Sequence, residues 1–167
     1  MNNNDPRLVI FIIGVIVLVP AYFIIMGLES SKLKSEGKII DRKHHFAKYT
    51  EVFILKSMPF EDICDAIVNT EYYGKAKAEG NTMMRFITIE GNNWLGEFSP
   101  VDLDEPIYND GKLMQAYQFS FLQWTPGKSN SFDMNIALTA LEKTLLHLDP
   151  MTQVAIKRNS VNTKTEF

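Results

Sequence analysis

Residues 8–26, "LVIFIIGVIVLVPAYFIIM", constrain this chain more than any other stretch, because nineteen consecutive positions carry no charge. At about 1.5 Å of rise per residue, a helix of that length spans roughly 28 Å, the thickness of a bilayer's hydrocarbon. A soluble helix shows polar residues at a 3.6 period, and this one has no polar face. A cleaved signal peptide fits less well. Its apolar core runs to roughly 7–15 residues, its n-region is basic, and a small-residue cleavage site follows. Here "MNNNDPR" sets only Arg7 against Asp5, "MGLESS" offers no such site, and no cysteine follows for lipid attachment. Pro20 is tolerated in lipid and predicts a kink, and Tyr22 suits the interface. The stretch reads as an uncleaved single-pass signal-anchor.

Its flanks predict the orientation. Arg7 precedes it, whereas Lys32, Lys34, Lys38, Arg42 and Lys43 follow. Basic residues stay on the cytoplasmic side, so the expectation is a cell-membrane protein with its C-terminal domain in the cytoplasm. The segments are then an N-terminal tail (1–7), the span (8–26), a polar juxtamembrane linker (27–48), a folded domain (49–158) and a polar tail (159–167).

The rest of the chain has the alternation of a small globular domain. "TEVFILKSM" is β-branched and aromatic, a strand ended by Pro59. Phe60, Ile63, Cys64, Ile67 and Val68 then form one helical stripe, with Glu61, Asp62 and Asp65 opposite. Residues 74–79 and 82–90 read as a hairpin turning at "EGN", and 94–99 as a further strand. "PVDLDEPIYNDG" reads as an exposed loop. In "KLMQAYQFSFLQW", Tyr117, Phe119 and Phe121 alternate with Gln118 and Ser120, the pattern of a half-buried strand. "TPGKSN" is a turn in which Asn130 or Ser131 can cap the next helix. That helix carries Met134, Leu138, Leu141, Leu145 and Leu148 on one stripe. A short strand at 152–158 closes the domain. The order β-α-β-β-β-β-α-β predicts an α+β, two-layer domain: an antiparallel sheet with two helices on one face. A β-α-β-β-α-β core of ferredoxin-like type carrying an extra hairpin is one economical drawing.

Few residues form a chemical constellation. A net charge of −3, with Lys75, Lys77 and Arg85 scattered, gives no basic stripe for nucleic acid. His44 and His45 are adjacent, so they point apart, and His147 is distant; no metal or cofactor site follows. Lone Cys64 sits on an apolar stripe with no base nearby and forms no internal disulfide. Asp102, Asp104, Glu105 and Asp110 lack the register of a calcium loop. Trp94 and Trp124 lie at strand ends and are the candidate contacts for a partner or ligand. The expectation is therefore a membrane-anchored binding or accessory domain, acting on a partner protein, within a membrane complex, or on an apolar small molecule. One rival is a membrane-tethered enzyme using Asp62 or Asp102 with His147. The other is a structural subunit interacting through its membrane helix, although Gly14 and Gly27 form no G-x-x-x-G motif.

Overall fold

The apolar run folds as part of a longer helix, α1 (Pro6–Ser35), with Pro20 inside it. This computed structural model describes residues 6–42, 45–72, 76–102, 105–125 and 131–158. Lys38 N–H donates to the Leu33 carbonyl at 2.8 Å and Gly37 N–H to that of Lys34 at 2.9 Å, closing the helix with a Schellman motif. The side chains of Ile16, Leu18, Ile24, Ile25 and Leu28 stand 62–69% exposed. The helix is long and apolar enough to cross a membrane. The chain divides into two compact units, Met1–Ile39 and Ile40–Phe167.

The second unit is built on a seven-stranded sheet. After a 3₁₀ turn (Phe46–Lys48), β1 (Tyr49–Lys56) leads to α2 (Phe60–Val68). Then come β2 (Lys77–Asn81), β3 (Phe86–Gly91), β4 (Trp94–Val101), β5 (Ile107–Asn109) and β6 (Lys112–Trp124). α3 (Ser131–Leu148) and β7 (Gln153–Arg158) complete the chain. The strands lie in the order β2-β3-β4-β6-β1-β7, with β5 paired to β6, and each pairing is antiparallel. The class is α+β, with three α-helices among the described residues.

Period-2 and period-3.6 patterning converge on one core. Phe53, Leu55, Ile87, Ile89, Phe98, Tyr117, Phe119 and Phe121 are at most 1% exposed. They meet Phe60, Ile63 and Ile67 of α2 and Met134, Leu138, Leu141 and Leu145 of α3. Fully burying each such side chain is worth about 1.5–3 kcal/mol, so this cluster dominates the domain's stability. Val68, expected on the stripe of α2, is instead 39% exposed at the helix end.

Three local expectations need correction. "EGN" is not the hairpin turn, because Glu79–Asn81 belong to β2 and residues 82–85 make the turn. There the Asn81 side-chain oxygen accepts the Met84 N–H at 2.9 Å, an Asx interaction that displaces the turn toward the C-terminus. The second correction concerns 100–111, which is no plain loop. β4 runs through Pro100 to Val101, since β3 stops pairing at Phe98 and leaves Pro100 on an edge where no ladder N–H is needed. β5 then adds a strand that the expected order lacked. It turns into β6 through Asp110 and Gly111 at φ 49° and 74°, as a type I′ hairpin requires. The turn at 126–130 with its Asn130 cap, the strand start at 74–75 and the tail 159–167 lie outside the described residues.

Candidate functional site

A column of rings sets the geometry of the most promising site. Phe98 stacks on Tyr117 with centroids 5.2 Å apart and planes within 8°, and Tyr117 stacks on Phe60 at 6.2 Å. The Arg85 guanidinium lies over the Phe60 ring, 5.8 Å from its centroid. Burial pushes the Tyr117 hydroxyl above its ordinary value, and Arg85 acts the other way through its charge and a hydrogen bond. Tyr117 O–H donates to the Gln115 side-chain oxygen at 2.9 Å. Arg85 closes the β2–β3 turn at φ 55°. This left-handed conformation costs a non-glycine residue on the order of 1 kcal/mol.

A recess of about 220 Å³ opens beside this arrangement, with Arg85, Asp102, Gln115 and Tyr117 supplying its polar groups. β4 brings Asp102 to its rim and β6 presents Gln115 and Tyr117, so three of the four polar groups stand on or next to paired strands. Pro100, Pro106 and Met114 make an apolar wall. Such a mixture of apolar wall and few oriented polar groups suits ligand capture.

A second polar cluster is buried in the domain. The Arg42 side chain, 5% exposed, donates from Nε to Glu51 Oε1 at 2.9 Å and from NH2 to Glu142 Oε2 at 2.7 Å. Its NH1 donates to Asn135 Oδ1 at 2.6 Å and to Thr139 Oγ1 at 2.8 Å. Thr139 Oγ1 also accepts the Ile40 N–H, and Asn135 Nδ2 donates to the Ile40 carbonyl. Residues 40–42 are thus sewn to α3 and β1. Glu51 Oε2 is buried and has no hydrogen-bond partner among the described residues. Burial pushes the Glu142 carboxyl above its ordinary 4.5; the Arg42 charge opposes the shift and the Glu51 charge adds to it. One guanidinium shared by two carboxylates is a structural clamp with one negative charge in excess.

The tryptophans named from the sequence are brought together, as Trp94 of β4 pairs directly with Trp124 of β6. Trp94 is 3% exposed, edge-on to Phe121 at 5.6 Å, and its Nε1 has no hydrogen-bond partner among the described residues. Gly91 makes room for it, since a Cβ there would lie 2.2 Å from the indole. Trp124 is half-buried. Cys64 is buried against the sheet, and burial pushes its thiol up, with Asp65 and Glu61 adding to the rise. His147 and Asp62 are exposed at the ends of α3 and α2. Among the described residues no ion pair or hydrogen bond joins His147 to Asp62 or Asp102, and no group of three or more His, Cys, Asp or Glu could hold a metal. His44 and Asp104 lie outside the described residues.

Sequence reasoning missed both clusters. Besides Glu51, nine positions on, Arg42 meets partners 93 to 100 positions away, and no local spacing announces those. The signal for Arg85 was faint: an arginine closing a two-stranded turn, where glycine or asparagine is the usual solution. Comparison with protein-family models, curated proteins and solved structures gave no match.

Proposed function

We propose that this chain is a single-pass membrane protein whose C-terminal two-layer domain, with both helices on one face of the sheet, is a binding or accessory module. Residues 8–26 span the bilayer. The basic residues that follow them keep the domain in the cytoplasm. The observation that carries the binding reading is the recess beside Arg85, where a strained arginine, a buried tyrosine and a glutamine converge next to an apolar wall. Partner recognition within a membrane complex is the biological setting this reading favours.

Crosslinking the full-length protein in native membranes, followed by pull-down, tests it. The expected result is a discrete adduct that Arg85→Gln weakens. Loss of no adduct on that substitution, or no adduct at all, counts against the module. Protease added to intact cells should leave residues 40–158 uncut; digestion there reverses the orientation. An N-terminus beginning after residue 26 removes the anchor.

A further inference from the structure

The hydrogen-bond polarity of the recess narrows what it can hold. Tyr117 donates its proton to the Gln115 side-chain oxygen, which leaves the Gln115 N–H₂ available to an incoming acceptor. Arg85 has five N–H donors on a planar fork and no acceptor. The wall they share is therefore a donor wall suited to a carboxylate. Asp102 lines the same recess and is the group of opposite sign. A ligand carrying only negative charge would meet Asp102 unfavourably, and one carrying only positive charge would meet Arg85. At about 220 Å³ the recess is also smaller than the roughly 300–1,000 Å³ that drug-sized ligands and cofactors occupy.

We propose that the recess takes a small zwitterion, a free α-amino acid with an apolar side chain, with Arg85 and Gln115 holding its carboxylate and Asp102 its ammonium. Pro100, Pro106 and Met114 face the side chain. Arg85 is held for this task from two directions, by the Phe60 ring beneath it and by the Tyr117 hydroxyl beside it. The assignment rests on the binding reading above and specifies the ligand of that same site.

Calorimetry on the full-length protein in detergent micelles tests it with three probes. L-leucine carries both charges, 4-methylpentanoate lacks the ammonium, and 3-methylbutylamine lacks the carboxylate. The expected result is saturable binding of L-leucine, with each single-charge analogue weaker by roughly tenfold or more. Arg85→Gln and Asp102→Asn should each weaken L-leucine by a similar factor, while Asp102→Asn narrows the gap between L-leucine and 4-methylpentanoate. Both residues are exposed, so thermal unfolding of the variants should match the parent and show that the loss is local. Equal affinity for L-leucine and 4-methylpentanoate overturns the zwitterion and leaves an anion-binding recess, so the binding reading survives. Binding of L-leucine that neither substitution weakens overturns the assignment to this recess. No saturable binding of any of the three overturns the assignment, and the crosslinked adduct and its sensitivity to Arg85→Gln then decide the binding reading separately.

Discussion

The two units of this chain use the same side chains in opposite ways. Along α1, Ile16, Leu18, Ile24 and Ile25 stand more than 60% exposed, whereas Ile63, Ile67, Ile87 and Ile89 in the second unit are fully buried. The difference lies in arrangement. In α2 the apolar residues recur at three and four positions with acids opposite, so one face turns inward. Around residues 8–26 of α1 there is no polar face to turn outward, and a helical stretch apolar on all sides is covered by other apolar surface, protein or lipid. One substitution placed in each unit should therefore have different consequences. Ile63→Arg puts an unpaired charge where no water reaches, and a loss above about 5 kcal/mol exceeds or consumes the stability of most domains. The full-length variant should show no cooperative melt by tryptophan fluorescence, which both tryptophans report from the second unit. A sharp transition within a few degrees of the parent would sink this account of the core.

The second unit also contains the exception to its own rule. The Arg42 side chain is only 5% exposed, yet it is charged and makes four hydrogen bonds. Removing one partner of a buried ion pair strands the other, at about 3–5 kcal/mol. Arg42→Ala should lower the denaturant midpoint accordingly, and Arg42→Met with Glu51→Gln and Glu142→Gln should recover much of the loss, because no buried charge is then left alone. If the single and triple variants unfold together, the clamp is only a packing feature. Charge in α1 has a different effect. Leu18→Arg should leave the domain's melt unchanged and cost insertion instead, about 2.5–3.5 kcal/mol for an arginine at the centre of a span. Carbonate extraction of membranes reads that as a larger soluble fraction, and an unchanged membrane fraction would argue against residues 8–26 as the span.

What could be read in the sequence follows the same division. Elements whose information is periodic were legible. The stripe of α3 through Met134, Leu138, Leu141 and Leu145, the alternation of Tyr117, Phe119 and Phe121, and the unbroken apolar run each declare a burial pattern within one segment. Elements that depend on a partner elsewhere were not. β5 has three residues, too few for a period, and exists because Ile107 to Asn109 find the start of β6. Pro100 read as part of an exposed loop because the sequence does not say which edge of a strand is unpaired. Arg42 resembled every other basic residue after the anchor until α3 and β1 supplied its partners. Arg85, likewise, becomes a site residue only once folding stacks Phe60 against Tyr117.

The smallest expected effect concerns protons and again separates the units. Burial raises the Glu142 carboxyl in the folded state above its ordinary 4.5. Between these two values the folded chain binds more protons at this position than the unfolded chain does. Unfolding free energy from this group must then rise as pH falls through the raised value and level off below the ordinary one; at neutral pH the charged carboxylate is a burden. Paired denaturant titrations of the parent and Glu142→Gln, from pH 7.5 down to pH 5, isolate it, because all other carboxylates are common to both. The parent should gain on the variant as the solution is acidified. Parallel curves, or a parent that loses ground, would mean that Arg42 stabilises the Glu142 charge more than burial opposes it. Residues 8–26 contain no carboxylate, so membrane retention should not change across the same range. A shift in retention with pH would mean that ionisable groups flanking residues 8–26 take part in retention, and the apolar run alone would not account for it.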